Sequence, residues 1–172
     1  MEHKHLHHID SPNHYQFVTF RTYDSVDLYL KKILSNSLPQ NKKQQEADNY
    51  LDQSNNGAYL NYRILNFLYE FFRKKDNELY KLMAFCIMPN HVHLLIKPLL
   101  ELPVMMKNIK GSSAFQINKL LRKKGIFWAN EYFDKLIRDE KHYNVVYNYI
   151  KNNPRNIILA KDELPRFYGI YE

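Results

Sequence analysis

CIMPNHVHLLIKP, residues 86–98, holds two apolar runs on either side of Pro89-Asn90. The runs extend over residues 79–88 and 91–97, each the length of a strand, and the pair between them favours a turn. This predicts a β-hairpin. Side chains two apart on a strand share a face, so His91 and His93 project together while Val92 points the other way. Neutral imidazole ligates divalent transition metals, and this pair opens its strand directly after a tight turn, where a ligand can reach it. The same spacing also occurs by chance in packed strands, and both readings stay open on these residues alone.

The segments on either side place the hairpin in a larger fold. Upstream, HYQFVTFRTY (residues 14–23) alternates as a strand, with Tyr15, Phe17, Thr19 and Arg21 on one side and Gln16, Val18, Phe20 and Thr22 on the other. Ser25 is placed to cap a helix striped by Val26, Leu30, Ile33 and Leu34. Residues 35–57 turn polar, with Pro39 and an Asn55-Asn56-Gly57 turn signal. They read as a long polar loop or insert, with a short helix around residues 44–51 as its only candidate element. Residues 59–75 form a helical stripe through Leu60, Ile64, Phe67, Leu68 and Phe71.

Downstream, residues 102–124 read as a helix ended by Gly125 in the left-handed cap position. Residues 127–137 are expected to supply one more strand, centred on residues 132–137. Asp139 can cap a last helix that runs to about residue 153, where Pro154 discourages helical geometry in its predecessor. The tail after Asn156 shows no firm period. The order strand–helix–strand–strand–helix–strand–helix predicts one α+β domain over residues 1–172, with a polar insert at 35–57. Its fold class is a ferredoxin-like or RRM-like antiparallel sheet with helices on one face, followed by a C-terminal helix.

That last helix bears a second candidate feature. Tyr149 and Asn153 are i and i+4 and share a face, so a phenol and an amide oxygen are presented together. A helix tyrosine also commonly buries its ring and wets its hydroxyl, and the asparagine could simply close the helix.

Composition narrows the class. Apolar residues make up 45% and charged residues 25%, as in globular proteins. No apolar run reaches the roughly 20 residues needed to span a bilayer, so no membrane partner is expected. The lone Cys86 excludes a disulfide framework and suits a reducing, cytoplasmic setting. The net charge of +7 is uneven: residues 1–102 hold 12 Lys/Arg against 11 Asp/Glu, and residues 103–172 hold 13 against 7. Such a basic half suits a polyanion, though a solvated basic face needs no partner. Four further histidines, His3, His5, His7 and His8, lie in an N-terminal end that reads as mobile.

Together CIMPNHVHLLIKP, FWANEYFDKLIRDE (residues 127–140) and YNYIKNNPRN (residues 147–156) resemble the single-tyrosine transposases of the HUH endonuclease superfamily. The branch most similar is that of the REP-associated tyrosine transposases, whose first strand HYQFVTFRT also resembles. The similarity covers about residues 14–34 and 59–157, and the insert has no counterpart in the compact members.

The resemblance implies that His91, His93 and Asn153 hold a divalent metal, Mg²⁺ or Mn²⁺, and that Tyr149 is the nucleophile. It further implies a transposase or DNA nicking-and-joining nuclease, acting on single-stranded or hairpin DNA through a 5′-phosphotyrosine intermediate. Members occur as monomers and as homodimers. Lys107, Lys110, Lys119, Arg122 and Lys123 are candidates for tracking phosphates, and Trp128 for stacking on a base. The alternatives are a domesticated, non-catalytic hairpin-binding or regulatory protein of the same fold, and an RNA-binding module. The paired histidines argue against the RNA module, which needs stacking rings at the sheet centre.

Overall fold

A computed structural model describes residues 14–157 and 165–172 of the chain. The histidines at positions 3, 5, 7 and 8 lie outside these residues. The elements are β1 (Gln16–Thr22), α1 (Leu28–Ser35), α2 (Gln40–Gln53), α3 (Tyr62–Lys74), β2 (Tyr80–Ile87), β3 (His91–Pro98), α4 (Leu102–Leu121), β4 (Trp128–Leu136), α5 (Glu140–Asn152) and β5 (Phe167–Gly169).

The strands form one five-stranded antiparallel sheet in the order β4-β1-β3-β2-β5. Its first four strands have the ferredoxin-like arrangement expected for this element order. Alternation along each strand sorts the side chains. Val18 and Phe20 of β1 and Val92, Leu94 and Ile96 of β3 meet Ile64, Leu68, Met105 and Ile109 of α3 and α4. On the other face, Phe17, Leu95, Ala84 and Cys86 meet Tyr143, Val146, Tyr147 and Ile150 of α5. Two helices therefore cover one face, and the C-terminal helix, which bears the tyrosine, covers the opposite one. A register irregularity between Leu82 and Ala84 lets Phe85 and Ile87 continue the first face while Cys86 faces the second.

Several expectations are corrected. The cap of α1 is Asp27, whose carboxylate accepts from the Leu30 amide at 2.8 Å, rather than Ser25. Helix α4 ends with Arg122 in the left-handed conformation, φ 53°, and Gly125 follows in a separate left-handed turn. β4 occupies Trp128–Leu136 within the expected residues 127–137, beginning ahead of residue 132 because Trp128 pairs with Thr22 across an irregularity in β1. β5, invisible as a period, adds a short edge beside β2.

The largest correction concerns the insert, which is helical over Gln40–Gln53 and docked. Its apolar contribution is small: Ala47 and Leu51 close a separate cluster on Leu30. Because two apolar residues make no stripe, helical periodicity is faint, and the buried positions Gln44 and Asp48 are polar. Their burial becomes intelligible only from what they face.

Candidate metal and nucleophile site

Register brings the site together. In the pairing of β1 with β3, Thr19 stands opposite His93 and Arg21 opposite His91. All four project toward the face covered by α5. Both imidazoles are fully buried, with ring centroids 4.8 Å apart.

Each imidazole is oriented through Nδ1. His91 Nδ1 lies 2.7 Å from Asn90 Oδ1. The Asn90 amide nitrogen donates to the carbonyls of Leu51 and Ser54, at 2.9 and 3.1 Å. That donation fixes which end of the amide is oxygen, so Oδ1 accepts and His91 carries its proton on Nδ1. His93 Nδ1 is held by Thr19 Oγ1 at 2.7 Å. Both Nε2 atoms are buried with no hydrogen-bond partner. Burial, with the nearby Arg21 charge, holds His93 down to about 3, and burial together with His93 and Arg21 also lowers His91. The rings are therefore neutral, and their orphaned nitrogens are the form of imidazole that ligates metals.

Helix α2 supplies what the nitrogens face. Asp48 Oδ2 is 4.0 Å from His93 Nε2, and Asp52 Oδ1 is 3.7 Å from His91 Nε2. Ligand atoms of Asp48, His91 and His93 all lie within 4.8 Å of one another. Burial pushes the Asp48 carboxyl up to about 7 against the pull of Tyr149 and Arg21, and burial raises Asp52 to about 6. Gln44 Nε2 fixes the carboxylate by donating to Asp48 Oδ1 at 2.6 Å.

Tyr149 reaches the same carboxylate, its hydroxyl donating to Asp48 Oδ2 at 2.7 Å. Its ring packs edge-on to Phe17 and His93, and the residue retains 38% exposure. Burial first, then Asp48, raises the phenol above its ordinary pKa, while the Asn153 side chain pulls the other way. Asn153 is buried, and its Oδ1 has no partner. His91, His93 and Tyr149 thus meet around Asp48, with Asp52 beside His91 and Asn153 beside Tyr149. The residues present fit a divalent cation: two oriented neutral nitrogens and the Asp48 carboxylate lie within 4.8 Å of one another.

The residues expected to meet DNA are placed differently. Helix α4 packs on the sheet face opposite the imidazoles. Lys107, Lys119 and Arg122 are exposed there. Lys110 Nζ donates to the Ala129 and Asn130 carbonyls at 2.6 and 2.8 Å, and burial lowers it to about 8. Lys123 pairs with Asp24 at 3.0 Å and stacks over Tyr59. Trp128 is buried at 4% exposure and donates from Nε1 to Ser113 Oγ at 2.9 Å, so it anchors the core instead of offering a face to a base.

Asp48, Asp52, Arg21, Thr19 and Asn90 were not singled out from the sequence. The one available signal was the position of Thr19 and Arg21 on the same face of the first strand, which has no meaning until that strand is paired with β3.

A sequence model described as "Transposase IS200 like" matches residues 53–153. An uncharacterized protein of Haemophilus influenzae is 34% identical over 104 residues, a match covering 46% of this chain and 56% of the relative. The chain thus matches little more than half the length of that curated relative. The fold resembles that of a REP-associated tyrosine transposase solved bound to a REP hairpin, with a TM-score of 0.52, 17% identity, and coverage of 97% of this chain and 82% of that one. No helix among the described residues is long and apolar enough to cross a membrane. With the family pattern spanning α3 through α5, including both imidazoles and the tyrosine, this chain belongs to the IS200-like transposases.

Proposed function

We propose that this transposase nicks and rejoins single-stranded or hairpin DNA, using Tyr149 as nucleophile beside a divalent metal held by His91, His93 and Asp48, with Asn153 in reach. A relative of the same fold was solved with a REP hairpin, which motivates that substrate class. The carrying observation is the pair of orphaned Nε2 atoms facing a carboxylate that also grips the tyrosine hydroxyl.

Residues 1–172 act in this reading as one catalytic domain. Mn²⁺ or Mg²⁺ suits a set of two nitrogens with hard oxygens, and when bound it supplies charge that neutralises a phosphoryl oxygen. The chain's own groups do the rest. Tyr149 Oη attacks phosphorus while its proton passes to Asp48 Oδ2, the atom it already contacts. The bond to the 3′ oxygen breaks, and that oxygen leaves as a hydroxyl with a proton taken from solvent. The 5′ phosphate stays on Tyr149, so the bond energy is conserved and a second 3′ hydroxyl can reverse the step. Gln44 holds Asp48 in position, and Phe17 packs the tyrosine ring.

Incubation with a pool of labelled hairpin oligonucleotides and Mn²⁺ tests this. Wild type forms a DNA–protein adduct that survives denaturation, and Tyr149→Phe and His93→Ala do not. A persistent adduct in Tyr149→Phe would assign another nucleophile. The second reading, a domesticated hairpin-binding protein without catalysis, draws support from the complete burial of both imidazoles beneath α2. It corresponds to tight binding with no adduct in wild type.

A further inference from the structure

Arg21 is a buried cation beside the site, and its hydrogen bonding is incomplete. It is 3% exposed. Its Nη2 donates to the neutral Gln44 Oε1 at 3.3 Å, while Nε and Nη1 are buried with no partner. Guanidinium N–H groups are strong donors, and burying them unpaired is costly enough that folds seldom tolerate it. The charge is also felt by the site, since Arg21 lowers the basicity of His91 and His93 and interacts with Asp48. A cation beside a metal site opposes the metal, so its presence calls for an anion beyond those the protein supplies.

The residues around Arg21 identify that anion by their chemistry. Arg21 stands opposite His91 in the sheet and shares a face with Thr19, which holds His93. It is linked to Tyr149 through Gln44 and Asp48. Charge counting agrees. Ionised Asp48 and Asp52 with a divalent cation sum to zero, leaving Arg21 as the counter-charge for one monoanion, the charge of a phosphodiester. We propose that Arg21 is a further catalytic residue, its guanidinium binding a non-bridging oxygen of the scissile phosphate as Tyr149 attacks. This rests on the Tyr149 reading above. The long, neutral bond to Gln44 is one that a charged phosphoryl oxygen displaces, since charge-assisted forks from arginine are the stronger contact. Admitting it requires α2 to shift, and the buried apolar anchor of that helix is small: Leu30, Ala47 and Leu51, with Val26, Ile33, Leu34 and Tyr50 packed against them.

The test uses full-length protein and the hairpin that wild type cleaves, with the scissile linkage either a phosphodiester or an uncharged methylphosphonate. On the phosphodiester, Arg21→Met lowers the rate of adduct formation about 100-fold, the scale of losing one donor to a developing oxyanion. Arg21→Lys falls between it and wild type. On the methylphosphonate the three proteins differ less than about 3-fold, because the charge that Arg21 meets has been removed. The thermal midpoint of Arg21→Met equals or exceeds that of wild type, since no native hydrogen bond to a charged partner is lost. The proposal is overturned by an Arg21→Met rate within about 3-fold of wild type on the phosphodiester. An equal deficit on both linkages, or a lowered thermal midpoint, overturns it too by making Arg21 a structural counter-charge; should Arg21→Met not fold, Arg21→Lys carries the same comparison. Wild type forming no Tyr149-dependent adduct overturns both readings, whereas the outcomes above remove Arg21 alone.

Discussion

The hydroxyl of Tyr149 donates to Asp48 Oδ2 at 2.7 Å, joining α5 to α2 across 101 residues of sequence. The contact places the candidate nucleophile and its proton acceptor together. It also ties the IS200-like part of the chain, residues 53–153, to a helix that precedes it.

Asp48 makes the metal-free fold pH-dependent in a way its amide cannot. Its carboxyl is raised to about 7, mainly by burial, against about 4 in the unfolded chain. The folded state therefore holds a proton that the unfolded state releases. The stabilisation is fully present below about pH 4 and is lost as pH rises through about 7. In EDTA, the thermal midpoint of Asp48→Asn minus that of wild type becomes more positive between pH 5 and pH 8. A difference that stays flat would place Asp48 in contact with water. Added Mn²⁺ reverses the order at pH 8, stabilising wild type more than Asp48→Asn.

Thr19 acts on the metal through His93. Thr19→Val preserves shape but removes the oxygen that holds Nδ1 at 2.7 Å. Loss of such an orienting partner lowers metal affinity about 10- to 100-fold. Calorimetric titration with Mn²⁺ measures it, and unchanged affinity would show that His93 does not ligate.

Leu51 anchors α2. Leu51→Ala empties part of the cluster with Leu30 and Ala47, at a cost of about 2 kcal/mol. Hydrogen exchange should show amides of residues 40–53 losing protection while those of β1 and β3 keep theirs. Uniform loss over the whole sheet would instead make α2 an integral part of the main core.

Trp128 belongs to packing. Trp128→Phe removes the 2.9 Å bond to Ser113 and some buried ring, destabilising the fold by about 1–3 kcal/mol in chemical denaturation. Hairpin affinity stays within about 2-fold of wild type. A large loss of affinity at unchanged stability would return Trp128 to base stacking.

Local geometry explains what could be read directly. Alternation put His91 and His93 on one face and Val92 on the other, and the helical period put Tyr149 with Asn153; the sheet and α5 keep both arrangements. The hairpin, the helix stripes of α3 and the carboxylate cap at Asp139 were equally local, because each depends on residues within a few positions. The basic residues of α4 and the turn after it were legible as charge but not as place. Lys110 and Lys123 are spent on carbonyls, Asp24 and Tyr59, and the helix lies across the sheet from the imidazoles.

From the order of residues alone came the α+β class, the paired imidazoles, the helix-borne tyrosine and the likeness to a family. Tertiary structure decided the company those groups keep: Asp48 and Asp52 from a segment that reads as polar filler, Asn90 and Thr19 as orienting partners, and Arg21 left short of hydrogen bonds. The physical reason is that periodicity records which way a side chain points, whereas a contact between residues far apart in the chain has no period. A polar helix such as α2 gains its place from buried hydrogen bonds to distant partners, and these exist only once the sheet has assembled beneath it.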